Sequence, residues 1–136
     1  MSDSIKSSNF PNQTRILLSI KPQFAFAILH GQKKFEFRRN IFARQVDVIL
    51  IYATAPIQRV VGEFDVSSII SEPVPVLWKR TREYAGIDET LFFEYFQGCN
   101  IGHAIEIGEV RAYSAPFCPV ERFGLKPPQS FTYLNL

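Results

Sequence analysis

The stretch 31–39, Gly-Gln-Lys-Lys-Phe-Glu-Phe-Arg-Arg, constrains the fold more than any other part of this sequence. Charged and aromatic residues alternate strictly over positions 34–38, and a period of two is typical of a half-buried β-strand. The pattern predicts that Phe35 and Phe37 face a core, with a charged row opposite them: Lys34, Glu36 and Arg38. A carboxylate between two cations suits a preset hydrogen-bonding surface, and a solvated charge ladder gives the same pattern.

The segments around this strand predict short strands and helices in alternation. Residues 15–20 are apolar enough for a strand that is buried on both faces, and Pro22 then begins a helix over 22–30 that Gly31 ends. A strongly apolar strand follows at 46–53. Gly62 lies inside the next strand, where a glycine predicts a bulge or a close backbone approach. The remaining elements are strand 59–66, helices 75–84 and 89–97, and strands 101–110 and 130–134.

The order of these elements does not repeat a β-α-β unit, which disfavours a doubly wound fold. It predicts the α+β class, with a mixed, strongly curved sheet or small barrel and helices at one side. A chain of 136 residues is long enough to bury one good core. We expect a loose N-terminal tail over 1–13, which is rich in Ser and Asn, and one domain over 14–136.

The distribution of charge is more informative than the net charge of +2, which excludes a polycation that binds through bulk charge. One group of cations falls within 24 residues: Lys21, Lys33, Lys34, Arg38, Arg39 and Arg44. A second group is Lys79, Arg80 and Arg82, which either extends a contact along a nucleic-acid backbone or forms a solvated helix face. Local basic patches on a nearly neutral domain suit one anionic ligand or a short nucleic-acid contact.

The cysteines and the hydropathy pattern favour a cytoplasmic protein with reduced thiols. Cys99 and Cys118 form no CxxC motif, the start of the chain has no apolar signal-peptide core, and no run of 18 apolar residues follows. The cysteines could be combined with His30 and His103 into a zinc site on paper, but no paired ligand motif supports it. We expect no metal, no cofactor and no membrane contact.

Two runs around the first predicted helix resemble the opening of ASCH domains, which belong to the PUA-like superfamily. They are Ser-Ile-Lys-Pro at 19–22 and Ile-Leu-His-Gly-Gln-Lys-Lys-Phe-Glu-Phe-Arg at 28–38. The family signature is a helix ending in Gly, then a Lys, then an acidic or hydroxyl residue and an Arg on the following strand. Its matches here are Gly31, Lys33, Glu36 and Arg38. Segments 61–64 and 95–105 also resemble the family, so the likeness spans roughly 15–110.

The resemblance implies a PUA-like mixed β-barrel of five to six strands, flanked by short helices, with a cleft lined by the stretch 31–38. PUA-like domains usually bind RNA or modified bases. The resemblance therefore implies a small module that binds a nucleic acid, RNA rather than DNA, or a modified nucleotide, and regulates transcription or translation. On this view the chain is a binding module rather than an enzyme.

The candidate ligand-binding residues are Lys21, Lys33, Glu36, Arg38, Tyr52 and Glu63. Lys33 and Arg38 can donate to phosphate or base acceptors, and Glu36 can accept from an exocyclic amine. The family match places Lys33 in the cleft and leaves Lys34 more exposed, while Glu63 would line the cleft floor. An unpaired base also needs an aromatic partner, for which the candidates are Tyr52, Phe24, Trp78 and Tyr95. The alternative for each ring is a place in the core.

Two other functions fit parts of the sequence. A bacterial branch of ASCH proteins hydrolyses N4-acetylcytidine with a Lys, a Thr nucleophile and a Glu, so an amidohydrolase could use Lys33 and Glu63. The nucleophile position falls on Glu36, and a carboxylate is a far weaker nucleophile toward an amide and has no proton to relay. A protein-interaction adaptor is the third possibility, if the aromatic face of helix 89–97 is exposed.

Overall fold

The computed structural model describes residues 13–135, so the expected N-terminal tail lies outside the described residues except for Gln13. The strands are β1 (Arg15–Ile20), β2 (Phe35–Arg38), β3 (Val48–Ala53), β4 (Arg59–Pro73), β5 (Ile101–Phe117) and β6 (Phe131–Leu134). The helices are α1 (Pro22–Leu29), α2 (Val74–Thr81), α3 (Glu89–Tyr95) and α4 (Pro119–Phe123), and a 3-10 turn (Arg82–Tyr84) follows α2. No helix in this part of the chain is long and apolar enough to cross a membrane.

The six strands form one mixed sheet in the order β2-β5-β4-β3-β1-β6. Only β1 and β3 pair in parallel among these strands, and every other neighbouring pair is antiparallel. The predicted α+β class, with a curved mixed sheet and short flanking helices, is confirmed. Within residues 13–135 the end strands β2 and β6 do not pair with each other, so the sheet is not a closed barrel.

Gly62 lies at a bulge and at a close backbone approach in β4, the two alternatives that its position in the sequence predicted. The register between β4 and β5 shifts between Val60 and Gly62, as a bulge requires. A Cβ atom on Gly62 would lie 2.7 Å from Cδ2 of Leu29 and 2.8 Å from the carbonyl oxygen of Arg111. Glycine therefore lets helix α1 and strand β5 approach β4 from two sides.

Strands β4 and β5 are longer than predicted, because they pair along most of their length and carry several register shifts. A shift moves the side-chain alternation from one face to the other, so the hydrophobic period that identifies a strand is lost at each one. The short helix α4 was not among the predicted elements. Pro119 is its first residue and Gly124, with a φ of 69°, follows its last.

The sheet buries residues on both faces. On the face that packs against α1, the core includes Ile16, Leu18, Ile49, Ile51 and Ile105. We call this the α1 face. On the opposite face, one cluster contains Leu17, Leu50, Tyr52 and Tyr113, and another packs Phe37 and Ala104 against α2 and α3 through Leu77, Phe92 and Phe96. Strand β2 therefore has buried side chains on both faces of the sheet.

Helix α3 begins where the sequence predicted. Asp88 is its N-cap residue, and its Oδ1 accepts a hydrogen bond of 2.8 Å from the backbone N–H of Leu91. Phe92 packs into the core with Leu77, and Ala85 joins the same cluster. The turn that connects α2 to α3 is thereby fixed against the edge of the sheet.

Candidate functional site

A cleft of about 360 Å³ lies beside the C-terminal end of β1, the start of α1 and strand β2. Four of the six predicted ligand-binding residues line it: Lys21, Lys33, Glu36 and Arg38. The last three lie on or just before β2, and we call them the cleft cluster. Two of the four candidate stacking rings, Phe24 and Tyr95, line the same cleft. The volume is within the range of small-molecule sites in proteins.

Lys33 is nearly inaccessible to solvent, with 2% of its surface exposed. Its Nζ donates a hydrogen bond of 2.6 Å to the carbonyl oxygen of Ala85 and lies 4.9 Å from the ring centroids of Phe24 and Phe37. Burial lowers the pKa of Lys33 to about 8, against the opposing effect of the Glu36 charge. Lys34 is exposed, as the sequence predicted. Its Nζ lies over the ring of Tyr84.

Glu36 and Arg38 project from the α1 face of β2, because Glu36 lies opposite Ile105 in the register with β5. Arg38 donates a hydrogen bond of 3.0 Å from Nη2 to the carbonyl oxygen of Ser19. Its Nε is 3.7 Å from Oε2 of Glu36, which is too long for a hydrogen bond. Among residues 13–135, this buried Nε has no hydrogen-bond partner.

The electrostatics of Glu36 follow from the same geometry. Burial raises the pKa of its carboxyl group, and the charges of Arg38 and then Lys33 oppose that rise. The cleft cluster therefore combines a buried amine with a lowered pKa and a buried carboxyl group with a raised one. Both shifts bring groups that are ordinarily inert at neutral pH closer to proton exchange.

Tyr95 forms an aromatic wall of the cleft and retains 36% of its surface exposed. Arg39 holds it in place, because the Arg39 backbone N–H donates to the Tyr95 hydroxyl at 3.2 Å and Nη1 donates to the Tyr95 carbonyl oxygen at 2.9 Å. Burial is the main cause that raises the pKa of the Tyr95 hydroxyl. Tyr95 and Phe24 are thus the rings available to a ligand base.

The other two candidate rings are corrected by the structure. Tyr52 lies on the face opposite the cleft, packed in the cluster that contains Leu17 and Leu50. Strand β3 is buried on both faces, so alternation in its sequence carried no signal about which face Tyr52 occupies. Trp78 packs against Phe92, with ring centroids 4.9 Å apart, and does not line the cleft.

Glu63 is also corrected: it does not line the cleft floor. It pairs with Leu50 in the register of β3 and β4, so its side chain lies on the face opposite the cleft. Oε2 of Glu63 accepts a hydrogen bond of 2.9 Å from Nε of Arg111, and Oε1 accepts one of 2.6 Å from the hydroxyl of Tyr113. The structure therefore does not bring Lys33 and Glu63 together as a dyad.

Asp65 completes this second cluster, accepting hydrogen bonds from Nη1 and Nη2 of Arg111 at 3.2 Å and 2.6 Å. We call Glu63, Asp65, Arg111 and Tyr113 the Glu63 network. Sequence reasoning placed Glu63 in the cleft together with Lys33 and Arg38. The cross-strand register selects Arg111 instead, since Glu63 and Arg111 are direct partners on β4 and β5.

The second basic group and the aromatic helix lie outside the cleft. Lys79, Arg80 and Arg82 are exposed, and Arg80 pairs with Glu72 at 2.9 Å. The aromatic face of α3 is divided: Phe92 and Phe96 are buried, whereas Leu91 and Phe93 are exposed. Core packing therefore accounts for Phe92 and Phe96, while Leu91, Phe93 and Tyr95 remain exposed.

Sequence reasoning missed the turn that contacts Lys33. Ala85 is 52 positions from Lys33 along the chain, and neither residue carries a motif that links them. The cleft also includes Thr54 and Gln129, which lie outside the predicted strands and helices. Only the assembled sheet brings these segments to one place.

Comparison with known proteins places this architecture among described relatives. A family model described as ASCH domain matches residues 18–117. A curated ASCH domain-containing ribonuclease from Zymomonas mobilis is 31% identical over 132 residues, which cover 94% of this chain and 89% of that protein. The crystal structure of ASCH from Zymomonas mobilis aligns with a TM-score of 0.82 and 32% identity, covering 89% of this chain and 87% of the other. A crystal structure of a mutant ASCH protein from the same organism gives a TM-score of 0.83, 30% identity and coverage of 91% and 90%.

Proposed function

The chain belongs to the ASCH domain family, and on that premise we propose that its cleft binds single-stranded RNA and cleaves it. The cleft cluster is the observation that carries the proposal. Buried charges in proteins are ordinarily paired and hydrogen-bonded, because desolvation is costly. Here Glu36 and Arg38 form an ion pair whose nearest atoms are 3.7 Å apart, too far for a hydrogen bond, beside an open cleft. The Zymomonas mobilis relative is described as a ribonuclease, which supports the same proposal.

The binding half of the proposal follows from the donors in the cleft. Arg38 and Lys21 can neutralise a phosphate, and the Arg38 guanidinium can do so with two parallel hydrogen bonds. A base beside that phosphate would stack on Tyr95, because aromatic stacking accepts any base. The cleft holds about one nucleoside, so a single-stranded substrate fits better than a duplex.

Glu36 supplies the preference for RNA over DNA. Its carboxylate accepts none of the described hydrogen bonds and can accept one from a ribose 2′-hydroxyl, which DNA lacks. A raised pKa makes Glu36 a stronger base than an exposed carboxylate, and a lowered pKa makes Lys33 a stronger acid than an exposed amine. These shifts assign the two groups opposite roles in proton transfer.

In the proposed reaction, Glu36 accepts the proton of a 2′-hydroxyl as that oxygen forms a bond to the adjacent phosphorus. Arg38 balances the charge that develops on the phosphate oxygens. Lys33 donates a proton to the 5′ oxygen as the bond between phosphorus and that oxygen breaks. The products are a 2′,3′-cyclic phosphate on one fragment and a 5′-hydroxyl on the other. One bond to phosphorus forms as another breaks, and the proton that Glu36 accepts is matched by the proton that Lys33 donates.

The resemblance also implies regulation of transcription or translation, and we propose that such regulation follows from RNA binding and cleavage. A domain that binds and cuts single-stranded RNA would act on transcripts after their synthesis. Such a role also fits the cytoplasmic location expected from the sequence.

A cleavage assay with matched substrates tests the proposal. A labelled single-stranded RNA, the same sequence as DNA, and an RNA with one 2′-deoxy position are incubated with the wild-type protein. We expect the RNA to be cut with cyclic phosphate ends, the DNA to stay intact, and the linkage after the deoxy position to resist cleavage. Glu36→Gln and Lys33→Met should each slow cleavage by about 10²–10⁴-fold.

Lys34→Met is the matched control for Lys33→Met, since Lys34 is the adjacent lysine but is exposed. It should leave cleavage unchanged. If the wild-type protein binds RNA but does not cut it, the cleavage half of the proposal is overturned and the binding half is retained. Absence of both binding and cleavage would overturn the proposed function altogether.

A further inference from the structure

We propose that Gly86 is a positioning residue for Lys33, because the turn at Ala85 and Gly86 fixes the Lys33 amine in the cleft wall. The positioning is a property of the folded chain. Its value for catalysis rests on the proposed function, in which Lys33 donates a proton to RNA. A side chain at position 86 would overlap with the side chain of Lys33, so this arrangement requires glycine.

The contact between the turn and Lys33 is close along the whole side chain. At its tip, Nζ donates a hydrogen bond of 2.6 Å to the carbonyl oxygen of Ala85. Along its stem, a Cβ atom placed on Gly86 would lie 2.5 Å from both Cβ and Cγ of Lys33 and 2.9 Å from Cδ. Cβ atoms in proteins essentially never approach other heavy atoms below 3.0 Å. The Lys33 stem therefore runs directly against the Gly86 backbone.

The turn is anchored on both sides. Ala85 is buried in the cluster that contains Leu77 and Phe92. The carbonyl oxygen of Tyr84 accepts a hydrogen bond of 2.9 Å from the backbone N–H of Lys34. The core and the segment that leads into β2 both hold the turn in place. An overlap between the turn and Lys33 should therefore displace Lys33 and not the turn.

Lys33 is confined on its other sides as well. Its backbone N–H donates to the carbonyl oxygen of Ala27 at 3.1 Å, which ties it to α1. The rings of Phe24 and Phe37 are both 4.9 Å from Nζ. The amine is thus held between two rings and one carbonyl oxygen, while the stem of the side chain lies against Gly86. This enclosure is the burial that lowers the pKa of Lys33 to about 8.

An added methyl group at position 86 would therefore move Lys33. The overlapping atoms, Cβ and Cγ, are close to the Lys33 backbone, so rotation of the far end of the side chain cannot relieve the contact. We expect the amine to leave the carbonyl oxygen of Ala85 and gain solvent. Solvation favours the charged form, so the pKa of Lys33 should rise toward its ordinary value of 10.5.

The chain offers a matched control for the backbone strain of such a change. Gly86 has a φ of 68° and Gly124 a φ of 69°, where any residue with a Cβ atom is strained. A Cβ atom on Gly124 would meet nothing within 4 Å. Alanine at either position carries the same conformational cost, but only Gly86→Ala adds the overlap with Lys33.

The test follows Lys33 directly, with a carbon NMR titration of the lysine side chains in the wild-type protein, Gly86→Ala and Gly124→Ala. Lys33→Met identifies the Lys33 signal by its loss. We expect a midpoint near 8 in the wild-type protein and in Gly124→Ala, and a midpoint higher by about one unit or more in Gly86→Ala. RNA cleavage at neutral pH should fall by about 100-fold in Gly86→Ala and stay unchanged in Gly124→Ala.

Equal Lys33 midpoints in Gly86→Ala and Gly124→Ala would overturn the inference, whatever the RNA assays show. If the midpoints differ as expected but the wild-type protein neither binds nor cuts RNA, the positioning stands and the proposed function fails. Should Gly86→Ala not fold, Gly86→Asn and Gly124→Asn repeat the comparison, since asparagine tolerates a positive φ better than other residues.

Discussion

Each face of the sheet carries a group of charges that includes one buried carboxylate, Glu36 on one face and Glu63 on the other, and the two groups differ in how those charges are paired. In the Glu63 network, both carboxylate oxygens of Glu63 and both of Asp65 accept a hydrogen bond of 3.2 Å or shorter. In the cleft cluster, Glu36 and Arg38 are 3.7 Å apart, and Nε of Arg38 has no partner within residues 13–135. The first group is saturated, and the second is open to a ligand.

The direction of the pKa shifts agrees with this difference. Hydrogen bonds to Asp65 and Glu63 raise the pKa of Arg111 above its ordinary value, so pairing outweighs desolvation in the Glu63 network. Desolvation prevails in the cleft cluster, where it lowers the pKa of Lys33 and raises that of Glu36. A buried ion pair whose atoms are fully hydrogen-bonded holds the sheet together, whereas one that lacks hydrogen bonds between its members can gain them from a ligand.

Removal of the central cation of the Glu63 network should have the largest effect. Arg111→Ala leaves the buried carboxylate of Glu63 without its ion pair, which should lower the free energy of unfolding by about 3–5 kcal/mol. Urea denaturation measures the loss, and RNA binding below the melting temperature should stay unchanged. A loss of less than about 1 kcal/mol would mean that the network is no stronger than an exposed salt bridge.

The next largest effect should be a pH-dependent contribution of Lys33, in the cleft cluster, to the free energy of unfolding. The folded chain releases the Lys33 proton near pH 8, whereas the unfolded chain retains it up to about 10.5. Stability should therefore rise with pH across this window, by up to about 3 kcal/mol relative to Lys33→Met, and the difference should be flat below pH 8. Urea denaturation of both proteins at a series of pH values measures it. A difference that does not change with pH would show that the Lys33 amine is solvated.

Truncation of the open guanidinium should act on binding more than on folding. Arg38→Ala removes a charged hydrogen-bond donor, so we expect RNA affinity to fall by about 1.5–3 kcal/mol. The slope of log affinity against log salt should become shallower by about 0.7 for the lost phosphate contact. Fluorescence anisotropy with labelled RNA at several salt concentrations measures both values.

Arg80→Ala is the control for that experiment, because Arg80 forms an exposed pair with Glu72 outside the cleft. It should change affinity and stability by no more than about 0.5 kcal/mol. If Arg80→Ala weakens binding as much as Arg38→Ala does, the RNA contact extends over α2 and is not confined to the cleft.

Local signals in the sequence were sufficient for much of the fold. The apolar run of β1, the proline that begins α1 and the Asp88 cap of α3 each act within a few residues. Alternation along β2 likewise predicted that Glu36 and Arg38 share one face, and both line the cleft. Lys33 precedes β2 and lies an odd number of residues from both, so its place in the cleft came from the family resemblance and not from alternation.

What the sequence could not predict depends on register and on distant contacts. Tyr52 and Glu63 are placed opposite the cleft by strand pairing near a bulge, and a shift of one residue exchanges the two faces. The partner of Glu63 is Arg111, 48 positions along the chain. The contact of Ala85 with Lys33 has a similar separation, so neither could be inferred from neighbouring residues.

The most direct test compares the same substitution in the two clusters, Glu36→Gln and Glu63→Gln, by melting temperature and by RNA affinity and cleavage. Both replace a buried carboxylate with an amide of nearly equal size. We predict that Glu36→Gln impairs RNA cleavage and retains the wild-type melting temperature, while Glu63→Gln lowers the melting temperature and retains RNA binding and cleavage. If Glu36→Gln destabilises the fold without affecting RNA, or if Glu63→Gln abolishes cleavage in a folded protein, the distinction between a saturated and an open cluster is wrong.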